Sequence, residues 1–158
     1  MICEVDWDHP DAVVLREARR ADIAEAYGRD GTEPAMSEAS ASDMAVFLVA
    51  YQAGAAVACG GLRLLGMDAA EVKRMYAVPA VRGTGAATEV LRALEGWAVA
   101  HDVSVLRLET GDALLAARRF YQREGYTSIP PFGPYVGSLL SRCYGRRLSN
   151  PPASGSGG

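Results

Sequence analysis

Apolar and polar residues repeat along this chain with two different periods, and the switches between them outline its elements. From Asp11 to Tyr27 the apolar positions Val14, Leu15, Ala18, Ile23, Ala26 and Tyr27 stand among charges at helical spacing, which predicts one or two amphipathic helices that Gly28 can end. Gly31 to Asp43 is rich in Gly, Pro, Ser, Thr and acidic residues with no period, and reads as a mobile loop in a position to cover a substrate. Ala45 to Tyr51 and Ala55 to Leu65 then read as two strands joined by a tight turn at Gln52-Ala53-Gly54. A second turn around Gly66-Met67-Asp68 leads to Glu71 to Val78, whose β-branched and aromatic content suits a third strand of the same meander, with Pro79 stopping its ladder.

The second half changes period. From Gly85 to His101, Ala87, Val90, Leu91, Leu94, Trp97 and Ala98 recur at three and four residues and mark one buried helix face. Val103 to Leu108 reads as a short apolar strand. Asp112 to Glu124 reads as a second helix, with Asp112 as its N-terminal cap and Gly125 as its stop. Ile129 to Pro134 is a proline-rich loop, Leu139 to Leu148 a last strand, and Ser149 to Gly158 a Gly/Ser/Pro tail too poor in apolar residues to order itself. These elements predict a mixed α/β sheet, antiparallel first and partly parallel later, with helices on its faces. One domain over residues 1–148 and a disordered tail over 149–158 are expected.

Composition narrows the chemistry. The chain has 158 residues, 49% hydrophobic and 22% charged, enough for one packed core without staples. No apolar run reaches about 18 residues and no signal sequence opens the chain, so a cytoplasmic protein without a membrane partner is expected. Cys3, Cys59 and Cys143 form no CxxC pair and only His9 and His101 supply imidazole, which disfavours a disulfide framework, a metal site or a Ser-His-Asp triad. The net charge of −3 disfavours nucleic acid as a partner, but residues 1–50 balance at −7 and residues 51–158 at +4, so the later part suits an anionic ligand.

The place for such a ligand is the turn Arg82-Gly83-Thr84-Gly85-Ala86-Ala87. It follows a strand and opens the strongest helix, so its amides point outward without intrahelical partners and the helix dipole adds positive charge there. Arg82, Gly85 and Ala87, after a strand ending Val78-Pro79, form R-x-x-G-x-A, which resembles the acetyl-CoA signature Q/R-x-x-G-x-G/A of the GNAT N-acetyltransferase superfamily. Further on, Ala117-x-x-Phe120-Tyr121-x-x-x-Gly125-Tyr126 resembles the superfamily's second signature, A-x-x-L/F-Y-x-x-x-G-F/Y. The resemblance covers roughly residues 45 to 148. It implies a GNAT-like sheet splayed between its fourth and fifth strands, with the pantetheine of acetyl-CoA in the gap. It also implies main-chain contacts from Met75, Tyr76 and Ala77 to pantetheine, and a pyrophosphate held from Gly83 through Thr88 (Gly83, Thr84, Gly85, Ala86, Ala87 and Thr88) beside Arg82. Where many members carry Asn near the start of the next helix, this chain has Leu114, so that side-chain contact does not carry over.

The activity implied is direct attack of a substrate amine on the acetyl thioester. An amine of pKa about 10.4 is protonated at pH 7, and freeing it costs about 4.6 kcal/mol, so a base is wanted. Glu71 matches the base position of histone-type members, and Glu109 that of ribosomal-protein alanine acetyltransferases. Both stay open, with Glu109 preferred because strand C-termini in open α/β sheets border ligand crevices. Strand alternation puts Glu71, Lys73 and Met75 on one face. Tyr121 matches the residue that protonates or hydrogen-bonds the departing thiolate; it stands about 100° around the helix from Phe120, so it can leave the core face while Phe120 stays buried. For the acceptor, a small-molecule amine or amino-acid-like molecule, Phe132 and Tyr135 offer an aromatic wall and Glu33 or Glu38 an acidic attractor. A non-catalytic acetyl-CoA-binding module is the competing expectation. A dinucleotide-binding enzyme fits poorly, because the third glycine place of GxGxxG holds Thr88. Exposed strand edges leave a homodimer open.

Overall fold

The computed structural model describes residues 1–27, 43–66 and 68–148. In chain order these form β1 (Ile2–Glu4), α1 (Pro10–Tyr27), β2 (Val46–Gln52), β3 (Ala55–Leu64), β4 (Ala69–Ala77), α2 (Ala86–Ala100), β5 (Val105–Gly111), α3 (Leu115–Arg123), β6 (Thr127–Ile129) and β7 (Ser141–Arg147), with 3-10 turns at Pro79–Val81 and Gly133–Tyr135. Glu33, Glu38, the loop predicted around them, Gly28 and the tail from Ser149 lie outside the described residues. Among the described residues no helix is long and apolar enough to cross a membrane, and no group of three or more His, Cys, Asp or Glu is placed to hold a metal ion.

The strands form one sheet in the order β1-β2-β3-β4-β5-β7-β6. Every neighbouring pair is antiparallel except β4 and β5, which run parallel. This is the mixed sheet that the pattern predicts. β1 and β6 escape a reading of periodicity because three residues hold too little alternation to register; their pairing partners on β2 and β7 define them instead. The β2–β3 turn works because Ala53 (φ 49°) and Gly54 (φ 81°) both enter the left-handed region, as a two-residue turn of the I′ kind requires.

Two apolar layers cover the sheet. Under α2, Val90, Leu91, Leu94 and Ala98 meet Leu62, Val72, Leu106 and Leu108; under α1, Ala12 and Leu15 meet Phe47, Val49 and Cys59. Gly61 makes the second layer possible, since a Cβ there stands 2.8 Å from both Phe47 Cδ2 and the backbone oxygen of Val46. Gly61→Ala is expected to cost about 1–3 kcal/mol through overpacking against backbone that cannot retreat, read as a lowered urea midpoint at unchanged slope.

Two local irregularities shape the cleft. Cys59 pairs with Tyr76 but Gly61 with Lys73, so β4 carries one residue more than β3, and Arg74 sits in the left-handed region at φ 60°. This bulge corrects the expected alternation: Glu71 and Lys73 share the α1 face, while Met75 is carried across to pack with the α2 layer and Tyr76 takes its place. The second irregularity is the short pairing of β4 with β5, which covers only Ala69 to Glu71 against Val105 to Arg107. Both strands continue beyond that ladder and part, which is the splay between the fourth and fifth strands.

α3 differs from expectation in two ways. It begins at Leu115, with Leu114 in the cap position and no side-chain cap, so Asp112 does not cap it. The residues between, held by the Leu114 amide on the Gly111 carbonyl, turn the chain out of β5 before the helix starts. Tyr121 is the buried residue of α3 and Phe120 is half-buried, the reverse of the expected arrangement. The helix leans its Tyr121 edge on the sheet because Tyr126, just past its end, packs edge-on against that ring with centroids 5.8 Å apart.

Candidate active site

The gap between β4 and β5 opens into a cavity of about 910 Å³ lined by residues of both strands and of α1, α2 and α3. Its walls are β4 from Glu71 to Ala77, Glu109 and Thr110 of β5, the inner side of α1 at Arg19, Asp22, Ile23 and Ala26, and α3 with the residues leading into it. Met75, Tyr76 and Ala77 line it, beside the turn residues Arg82, Gly83, Gly85, Ala86, Ala87 and Thr88.

At the turn, Gly83 (φ 82°) and Gly85 (φ 91°) adopt a backbone that only glycine takes without strain, and a Cβ on either would meet no atom within 4 Å. The main chain is therefore bare toward open space, with the first amides of α2 directed out of the helix. A bare turn at a helix N-terminus is a surface of the kind that can hold an anion. Thr84 differs from its expected role: its amide and hydroxyl both donate to the Val81 carbonyl, so it braces the turn from behind. Arg82 is tied back as well, donating through Nε to the Ala77 carbonyl and through Nη2 to Asp22 of α1 at 2.7 Å. Nothing in the spacing of the chain announces Asp22 as its partner, 60 residues away.

Tyr121 reaches the cavity from the other side of the gap. Burial pushes its phenol above the ordinary value, with Arg19 of α1 opposing, so the hydroxyl keeps its proton at neutral pH.

The two glutamates face the cavity from opposite strands in different settings. Glu71 is 1% exposed. Its Oε2 accepts a 2.6 Å hydrogen bond from the Tyr135 hydroxyl and lies 3.6 Å from Lys73 Nζ, while its Oε1 lies 3.8 Å from Arg63 Nε. Glu109 is half-buried, and its Oε2 accepts a 2.6 Å hydrogen bond from Ser141 Oγ of β7. Tyr135 lines the cavity with them, its hydroxyl also accepting from Lys73 Nζ at 3.2 Å. Phe132 does not line the cavity; its ring lies outside, 6.0 Å from the Arg107 guanidinium carbon and edge-on to Tyr135. Lys73 is the site residue that motif spacing passes over, although one plain signal marks it: it is the only lysine in the chain.

The sequence profile of the Acetyltransferase (GNAT) family matches residues 12–126. An IAA acetyltransferase of Azospirillum brasilense is 37% identical over 96 residues, which are 60% of this chain, and the chain spans 63% of that relative's length. The fold is similar to that of a provisionally assigned acyl-CoA N-acyltransferase from Klebsiella pneumoniae subsp. pneumoniae MGH 78578, with a TM-score of 0.80, 29% identity, and coverage of 94% of this chain and 97% of that one. It also resembles a provisionally assigned streptothricin acetyltransferase from Bacillus anthracis str. Ames, solved in complex with acetyl coenzyme A. There the TM-score is 0.59 at 16% identity, over 66% of this chain and 63% of that one, a likeness of fold alone.

Proposed function

The chain belongs to the acetyltransferase (GNAT) family, and we propose that it transfers the acetyl group of acetyl-CoA to a primary amine of a small-molecule or amino-acid-like acceptor by direct attack. The observation that carries this reading is the gap between β4 and β5, whose cavity is lined both by a bare glycine turn and by two carboxylates. A diphosphate on the amides of Gly83 and of Gly85 to Thr88 aims a pantetheine arm along the edge of β4, past Met75 to Ala77, toward Tyr121 and the glutamates.

Glu109 is the base. Its carboxylate is half-buried on the cavity wall and oriented by the Ser141 hydroxyl, so it can take a proton from an arriving ammonium and pass it to solvent. Glu71 is surrounded by Arg63, Lys73 and Tyr135, so its carboxylate is already engaged by groups of the chain itself. Tyr121 hydrogen-bonds the departing sulfur. Since its pKa is raised by burial, full proton transfer to a thiolate is uphill, and the hydrogen bond itself supplies the stabilisation. Tyr121→Phe is expected to lower turnover about tenfold or more while acetyl-CoA affinity stays near the wild-type value in calorimetry.

The test of the reading is a free-thiol assay with acetyl-CoA and a panel of amines and amino-acid derivatives, to which IAA is added because a relative is named for it. Amine-dependent thiol release is expected. Tight acetyl-CoA binding with no release from any acceptor assigns the chain to the non-catalytic binding class instead.

A further inference from the structure

The chain's 16 Lys and Arg residues include a single lysine, and that lysine lies in the wall of the cavity. We propose that Lys73 is a self-acetylation site: with acetyl-CoA bound and no acceptor present, its amine takes the acetyl group and closes the acceptor end of the cleft. This rests on the acetyl-CoA reading of the site and adds to it a nucleophile within the chain.

Three observations lead here. The first is access. Lys73 is 6% exposed yet lines the cavity, so what meets it is whatever occupies that space. The second is a proton path. Lys73 Nζ donates to the Tyr135 hydroxyl at 3.2 Å, and that hydroxyl donates to Glu71 Oε2 at 2.6 Å, which makes a directed chain from the amine to a carboxylate. The third is residue choice. Arg63, Arg74 and Arg107 supply the other cations on β3, β4 and β5, and a guanidinium in place of Lys73 would serve an ion pair with Glu71 at least as well. What an ammonium offers and a guanidinium does not is a nitrogen that becomes nucleophilic on losing a proton. Desolvation lowers the Lys73 pKa, with Arg74 and Arg63 acting in the same direction and Glu71 opposing, so the neutral amine is more accessible than on an exposed lysine.

The step balances within the site. One proton of the ammonium passes through the Tyr135 hydroxyl to Glu71 and on to solvent. The freed lone pair attacks the thioester carbonyl, the N–C bond forms, and the C–S bond breaks as the tetrahedral adduct collapses. A second nitrogen proton leaves with the sulfur as the thiol of CoA, and the third remains as the amide N–H. The acetyl-lysine has no charge for Glu71 and extends into the space an acceptor amine needs, so modified protein loses acceptor turnover.

The experiment uses the full chain incubated with acetyl-CoA alone, followed by peptide mass mapping. One acetyl increment on the Lys73 peptide is expected, formed at least about a hundredfold faster than on the same chain unfolded in urea at the same pH, the lower end of what a positioned base contributes. Tyr135→Phe is expected to slow the labelling while circular dichroism shows a folded protein. Since the chain has no other lysine, an acetyl-lysine antibody gives an independent reading that Lys73→Arg must abolish. Label found only on the Met1 amine, or a Lys73 rate no faster than in urea, overturns the proposal while amine-dependent thiol release leaves the acetyltransferase reading standing. Absence of any acetyl-CoA binding by calorimetry overturns both.

Discussion

Glu109→Gln is expected to reduce acceptor turnover by about a hundredfold to ten-thousandfold, the range a positioned general base contributes. The substitution is nearly isosteric, and its amide oxygen can still accept from Ser141 Oγ, which donates to the native carboxylate at 2.6 Å. Packing and the β5–β7 ladder are therefore kept, and the loss isolates basicity. Its pH dependence gives a second reading. With the base gone, only amine already deprotonated in solution reacts, so the deficit should be greatest at neutral pH and shrink as pH rises toward the acceptor's own pKa. Glu71→Gln is expected to behave differently. It removes the negative charge between Lys73 and Arg63, which destabilises a buried cluster, and its effect on turnover should track the fraction of folded protein. Near-normal turnover in Glu109→Gln beside its collapse in well-folded Glu71→Gln would transfer the base to Glu71.

Glu95→Ala is expected to produce a large loss of stability from one side chain outside the apolar core. Glu95 is 8% exposed, and its carboxylate accepts from the Tyr126 hydroxyl at 2.8 Å, from Arg146 Nη1 at 2.9 and 3.0 Å, and from Arg92 Nη1 at 2.8 and 2.9 Å. It thus joins α2 to β7 and to the residue that packs against Tyr121. Truncation leaves the Tyr126 hydroxyl without its partner and the arginines without their shared carboxylate, a change that costs about 3–5 kcal/mol in buried pairs. The two arginine side chains are 42% and 36% exposed, so water screens part of the attraction and the lower end, about 3 kcal/mol, is the expected value. Urea unfolding monitored by tryptophan fluorescence measures it, and a loss under about 1 kcal/mol would show the network to be surface decoration. The same network reaches the glycine turn: Arg92 Nη2 donates to Glu124 Oε2, and Thr88 Oγ1 donates to Glu124 Oε1. Weaker acetyl-CoA binding is expected to accompany the lost stability.

Much of this architecture was legible in the chain because its long elements carry strong periods. The apolar face of α2 runs through four buried residues, Val90, Leu91, Leu94 and Ala98, at helical spacing, and no other element competes for them. The glycines of the turn were legible for a different reason: positive φ at Gly83 and Gly85 restricts which residue can stand there. The β4 bulge was not legible. Arg74 is not a residue type that marks a left-handed position, and the extra residue is defined only against β3, where Gly60 leaves room for the displaced Met75. That one unseen residue reversed the face assigned to Met75. The same limit applied to Tyr121, whose angular offset from Phe120 was right but whose buried side was decided by Tyr126 and the sheet beneath it.

By itself the sequence determined the order of the helices and the longer strands, the position of a glycine turn at the head of α2, and two motifs that identify the family, since each depends on residues near one another along the chain. The tertiary structure alone decided which carboxylate is fully buried and which half-buried on the cavity wall, because Glu71 takes its surroundings from Arg63, Lys73 and Tyr135 while Glu109 takes its own from Ser141. Tyr135 comes from 64 residues away and Ser141 from 32. Contacts of this kind join residues far apart along the chain, so two glutamates that look alike in sequence come to stand in different surroundings only when the sheet folds around them.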